Sequence, residues 1–165
     1  MQTATHTLTH APALGLGETS PHLVVFILQA REFALPLAHV REVLPMVILT
    51  PIPQSVAWLA GMFNLRGQLI PIIDLRQRLN LVAPAPQLQT PIIIAQVNER
   101  LVGFIVDAMR DVLPLTAYAQ LPDELAGTNH AVSGLYRLAE RLILVLDLER
   151  LVSELPLNLD LESLA

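Results

Sequence analysis

Five histidines are the first place to look for a metal ligand or a general base. His6 and His10 stand i, i+4 apart, a spacing that would put two imidazoles on one helix face. They lie in a Thr-rich stretch with no carboxylate beside them, so they read as solvated tail residues. His22, His39 and His130 are isolated from one another. A serine nucleophile needs a presenting turn, yet none of Ser20, Ser55, Ser133, Ser153 and Ser163 sits in G-x-S-x-G, and around Ser133 the glycine positions hold Ala131 and Leu135. Gly15-Leu16-Gly17 precedes the first β-rich run instead of following one, so it is no dinucleotide fingerprint. Asp107 and Asp111 share an i, i+4 spacing and invite comparison with an acid pair.

The residue types that are missing narrow the chemistry further. With no cysteine there is no thiolate zinc site, iron–sulfur cluster, disulfide or thiol nucleophile. All ten cations are arginine, and without lysine there is no Schiff base and no P-loop of the usual type. The net charge of −5 opposes nucleic-acid binding, which needs clustered positive charge. The expectation is a chain that is not an enzyme, with no catalytic residue, no metal and no cofactor.

The 165 residues have room for one domain or two very small ones. Hydrophobic residues make up 53% and charged residues 15%, against about 25% charged in typical domains. Val43 to Leu65 runs 23 residues without a charge, longer than the roughly 20 a membrane helix needs. Pro45, Pro51 and Pro53 break it, and Leu79 to Asn98 is broken by Pro84, Pro86 and Pro91. No membrane insertion and no secretory signal are expected, which makes a cytoplasmic location the default.

The elements that would position any site are short. Residues 1–21 are expected to be a flexible tail. Short β-rich runs follow at Leu23–Gln29, Phe33–Leu37, Met46–Thr50, Leu59–Leu65, Gln68–Ile73, Pro91–Val97, Leu101–Val106, Val132–Leu138 and Arg141–Leu146. Brief helical pieces are expected after Gln54, Asp74, Asp123 and Asp147. Such spacing reads as small barrels or a sandwich.

Comparing the chain with itself sharpens this reading. A shift of 69 lays Leu23–Pro45 over Ile92–Pro114, matching Val-Arg-Glu-Val-Leu-Pro with Met-Arg-Asp-Val-Leu-Pro. A shift of 73 lays Trp58–Leu79 over Ala131–Val152, matching Gly61 with Gly134 and Asp74-Leu75 with Asp147-Leu148. Each repeat then offers a hairpin, a short amphipathic turn, and a second hairpin ending in a helix cap. Asp74 and Asp147 are read as the caps, and Gly67 as the positive-φ residue of a tight turn. The repeat partners of Asp107 and Asp111 are Ala38 and Glu42, so that pair reads as a solvated edge. Two small barrels with a shared groove suit such a duplication.

Three blocks carry a family resemblance. They are Phe26 to Leu37 with Val40-Arg41-Glu42-Val43, the run Gly61-Met62-Phe63-Asn64-Leu65-Arg66-Gly67 followed by Pro71-Ile72-Ile73-Asp74-Leu75, and Val102 to Asp107 with Leu142 to Leu148. Together these resemble the CheW family of chemosensory adaptors over about residues 22–152. The resemblance implies a mostly β fold of two pseudo-repeated SH3-like five-stranded β-barrels with a few short helices. The domain would comprise two intertwined halves, about 22–85 and 90–152, followed by a 153–165 extension. It implies a non-catalytic scaffold that couples the cytoplasmic tip of methyl-accepting chemoreceptors to the regulatory domain of a CheA-type histidine kinase, in chemotaxis or type IV pilus motility. The place of action would be the cytoplasm, at membrane-associated receptor arrays. By motif position Val40, Glu42, Gly61, Asn64 and Arg66 would lie in the receptor-contact region, and Val106 and Met109 would line the groove. The alternative from another class is a small-ligand or nucleic-acid-binding β-barrel module, for which one tryptophan and few other aromatics are poor material.

Overall fold

The computed structural model describes residues 21–53, 55–116, 119–120 and 131–155. The expected tail before Pro21, the helix after Asp123, His130 and the chain from residue 156 lie outside the described residues. Eleven strands are present in the described chain: β1 (His22–Leu28), β2 (Arg31–Pro36), β3 (Val40–Pro45), β4 (Leu59–Leu65), β5 (Gln68–Asp74), β6 (Pro91–Val97), β7 (Arg100–Ile105), β8 (Ala108–Pro114), β9 (Ala119–Gln120), β10 (Val132–Leu138) and β11 (Arg141–Leu146). One turn of 3-10 helix, Leu37–His39, joins β2 to β3, and the short helices α1 (Leu75–Arg78) and α2 (Leu148–Leu151) follow β5 and β11. No helix among the described residues is long and apolar enough to cross a membrane.

Tight two-residue turns make the hairpins. Gln29 and Ala30, and at the matching place Asn98 and Glu99, all take positive φ, as do Arg66 and Gly67. Paired positive-φ residues give the turn twist that fits right-handed strands. Asp74 and Asp147 cap their helices, accepting from Arg76 N and Arg150 N, as the sequence suggested. The backbone repeats as well, with Asp74 N donating to Trp58 O at 2.8 Å and Asp147 N to Ala131 O at 2.7 Å.

Strand order shows how the repeats combine. One sheet runs β8-β1-β2-β11-β10-β9 and the other β3-β6-β7-β5-β4. The first hairpin of each repeat therefore lies between strands of the other repeat, antiparallel on one side (β1–β8, β3–β6) and parallel on the other (β2–β11, β5–β7). Neither sheet is made from one half of the chain. Each sheet also curls back on itself: Thr50 bridges Met62 on β4, and at the equivalent place β9 pairs with Gly134 and Leu135 on β10. We refer to the barrel holding β1, β2, β8, β9, β10 and β11 as barrel A, and to the other as barrel B.

Three apolar clusters form the core. Leu23, Val25, Ala34, Tyr136, Ile143 and Val145 fill barrel A, and Ile70, Ile72, Ile92, Ile94 and Ile105 fill barrel B. The largest cluster lies between the barrels and includes Phe26, Phe33, Leu59, Ile73, Phe104, Val106 and Leu146. The expected shared groove is therefore, over these residues, a packed core.

Other differences have local causes. Met46–Thr50 is not a strand; only Thr50 pairs, while Met46, Val47 and Leu49 pack as irregular chain against the core of barrel B. Residues 55–58 form a turn, not a helix. Val40–Pro45 and Ala108–Pro114, which none of the expected β-rich runs covered, are edge strands with half-exposed and exposed side chains.

Candidate functional site

Strand alternation decides which residues gather at the turn end of each barrel, because side chains two apart share a face. In barrel B, Glu42 lies on β3 two residues before the core residue Leu44, and Gln68 two before Ile70. Arg66 occupies the β4–β5 turn with φ of 54°, a left-handed conformation uncommon outside glycine. That turn is held by Asn64, whose Oδ1 accepts from Gly67 N at 2.8 Å. From this perch the Arg66 guanidinium forks onto Glu42, with Nη1 at 2.8 Å from Oε2 and Nη2 at 3.3 Å from Oε1.

The hydrogen bond from Arg66, helped by its charge, holds the Glu42 carboxyl below the usual glutamate range, and the same contact raises Arg66. The sign follows from linkage: with its folded pKa depressed, Glu42 stays paired above its unfolded value, and its contribution is lost only as pH falls through the lower folded value. The side chain of Arg66 is 72% exposed, so the pair is open to a partner and weakly stabilising in itself.

Beside the pair is a cleft of about 410 Å³, lined by Arg41, Glu42, Leu65, Arg66, Gln68, Ile94, Gln96, Glu99 and Leu101. Leu65, Ile94 and Leu101 give it apolar wall, and the other lining residues bring charges and amides. Arg41 donates to Gln96 Oε1 across the rim.

At the equivalent end of barrel A the charges pair with one another. Arg141, which takes the place of Gln68, donates to both carboxylate oxygens of Asp111 at 3.1 Å and to Glu32 Oε1 at 2.5 Å. Arg110 joins Glu32 at 3.2 Å. These hydrogen bonds raise the pKa of Arg141. Where Arg66 stands in barrel B, barrel A has Ala139. Asp111 lies exposed on the edge strand β8, as expected, and is ion-paired there. Asp107 is paired too, accepting from Arg76 Nη1 at 3.2 Å and from Gln29 N at 2.8 Å.

The structure brings Glu42, Asn64 and Arg66 together and places the other candidates elsewhere. Val40 and Met109 are repeat equivalents on β3 and β8, each partly buried against the inter-barrel core. Val106 is fully buried in that core. Gly61 is an internal packing position: a Cβ there would meet the Thr50 carbonyl oxygen at 2.7 Å and Leu49 Cβ at 3.0 Å, and its φ is +155°. Gly61→Val should therefore part the bridge that closes barrel B and cost about 2 kcal/mol or more; thermal unfolding that matches the parent would refute this account. Sequence reasoning missed Arg41, Leu65, Gln68, Ile94, Gln96, Glu99 and Leu101. The signal for Gln68 was present in the repeat, where it stands opposite Arg141.

No nucleophile–base pair accompanies these groups, and among the described residues no cluster of three His, Asp or Glu could hold a metal. The arrangement offers an exposed ion pair beside a cleft of mixed polar and apolar lining, which suits recognition of a protein surface. Comparison with known proteins agrees. The family model described as "CheW-like domain" matches residues 22–155. The "Probable chemotaxis protein CheW" of Rhizobium etli is 33% identical over 148 residues, covering 84% of this chain and 92% of that protein. The chemotaxis protein CheW of Klebsiella aerogenes is 33% identical over 141 residues, covering 83% and 85%. The crystal structure of the scaffolding protein TtCheW from Thermoanaerobacter tengcongensis superposes with a TM-score of 0.74 at 29% identity, covering 81% of this chain and 92% of that one.

Proposed function

The chain belongs to the CheW-like domain family, and from that premise we propose that it is a non-catalytic chemotaxis adaptor that holds chemoreceptor tips and a CheA-type histidine kinase in fixed geometry. The observation that carries the reading is the Glu42–Arg66 pair, which stands exposed beside a cleft of mixed polar and apolar lining, with Arg66 on a turn held by Asn64. In this reading Glu42, Asn64 and Arg66 face the receptor. Val40, Gly61, Val106 and Met109 hold the strands behind them. The kinase regulatory domain binds through exposed strand surface. The site of action is the cytoplasmic face of receptor arrays, where several weak contacts made together gain from effective concentration. The output is flagellar or type IV pilus motility.

Two measurements test the reading. The purified chain should capture a CheA-type kinase regulatory domain in a pull-down, and absence of binding at tens of micromolar with the protein folded would count against the adaptor role. Arg66→Glu places two carboxylates against each other at an exposed site, so receptor-tip binding should fall at least tenfold, about 1.4 kcal/mol, while thermal unfolding stays near that of the parent. Unchanged receptor binding in this variant would remove the pair from the interface.

A further inference from the structure

Two arginines of α1 reach from barrel B to barrel A. Arg76 is buried and forks onto Asp74, with Nε at 2.9 Å from Oδ1 and Nη2 at 3.0 Å from Oδ2. Its third arm reaches Asp107 Oδ1 at 3.2 Å. Asp107 marks the point where the chain passes from β7 in barrel B to β8 in barrel A, and its other oxygen accepts from Gln29 N in the β1–β2 turn at 2.8 Å. Two residues on, Arg78 donates from Nε to Leu151 O at 2.9 Å and from Nη2 to Arg150 O at 3.0 Å, at the carboxyl end of α2. The guanidinium of Arg78 also lies over Trp58, 4.8 Å from the ring centroid.

The repeat-equivalent positions lack these groups. Trp58, Arg76, Arg78 and Asp107 correspond to Ala131, Glu149, Leu151 and Ala38. The matching crossing between barrels is the single 3-10 turn Leu37–His39, which has no buried residue and no side-chain cap. Its carbonyl at Ala38 receives Arg41 Nη1 from the exposed side at 3.4 Å.

We propose that Arg76 and Arg78 form a clamp on one side of the molecule that sets the angle between the two barrels, leaving the Leu37–His39 crossing as the compliant side. The apolar core between the barrels favours contact but is non-directional, whereas these hydrogen bonds prescribe distance and orientation. A guanidinium that forks onto one carboxylate and reaches a second ties two chain segments directly, and a third through the Gln29 N–H that Asp107 accepts. The proposal concerns the molecule alone and does not depend on which partners it has.

The absence of cysteine makes the test direct. Spin labels on Val43→Cys in β3 and Leu142→Cys in β11, both exposed, report the distance between barrels. Labels on Val43→Cys and Gln68→Cys report within barrel B. In the background Asp107→Asn with Arg78→Gln, the inter-barrel distance distribution should at least double in width, while the distribution within barrel B keeps its width. An inter-barrel distribution of unchanged width overturns the proposal, and so does equal broadening of both pairs, which would signify general loosening. Should the double variant fail to fold, Arg78→Gln alone, at a half-buried position, should still broaden the inter-barrel pair by about half; no change there overturns the clamp as well.

Discussion

Cut between Pro86 and Gln87, the chain is expected to give two fragments that do not fold separately but assemble one to one when mixed. The reason is the strand order. In the amino-terminal fragment β1 and β2 would pair only with each other, because β8 and β11 flank them in the intact molecule. An isolated hairpin is marginal in water at best. Strand β3 would lose β6, its hydrogen-bonded neighbour, and β5 would lose β7. The carboxyl-terminal fragment is broken in the same places by symmetry. The residues around the break, Pro84 to Gln89, are exposed, so cleavage removes a tether and little packing. Mixing should restore a single cooperative melting transition, with a midpoint that rises with concentration, as expected for an association. A monomeric fragment that melts cooperatively alone would contradict the exchanged arrangement.

Replacing Arg76 with methionine should be strongly destabilising. The substitution keeps an apolar stem but leaves Asp74, 4% exposed, facing neither its fork partner nor water. Removing one member of a buried pair typically costs about 3–5 kcal/mol, because the other charge is stranded. At roughly 2–4 °C per kcal/mol for a chain of this size, the melting temperature should fall by about 6–20 °C. Asp74→Asn added to Arg76→Met should recover part of the loss, since a neutral amide is less costly to bury. Arg141→Met offers a contrast: it breaks a partly exposed network, and its cost should stay near 1 kcal/mol. If Arg76→Met proves as mild as Arg141→Met, the buried fork does not stabilise the fold as described.

Local features were legible in the sequence and distant pairings were not. The hairpins β4–β5, β6–β7 and β10–β11 were readable because apolar runs flank short polar turns, and the caps at Asp74 and Asp147 because a carboxylate stands where a strand gives way to a helix. The edge strands β3 and β8 were missed: neither buries a residue fully, so the period-two contrast that marks a buried strand is weak. Met46–Thr50 erred the other way, since an apolar run buries its side chains equally well without pairing its backbone. The ion pairs of Asp107 and Asp111 depend on Arg76 and Arg141, 31 and 30 residues distant, and spacing along one strand carries no information about them. At the candidate site, motif order found Glu42, Asn64 and Arg66. The rest of the cleft needed to know that β6 lies beside β3, a pairing that joins the two halves.

The guanidinium at the turn end has one further effect. In barrel A it comes from within a strand and pairs with two carboxylates; in barrel B it comes from the turn and pairs with one, beside a cleft. A molecule whose backbone nearly maps onto itself by a half-turn is thereby given a head and a tail. If a partner is held by this arginine on its turn, the second repeat, with Ala139 in that place, offers no matching contact, and one copy per chain is expected. Copies joined turn-arginine end to strand-arginine end would build a line that points in one direction, whereas two turn-arginine ends meeting would close off a pair.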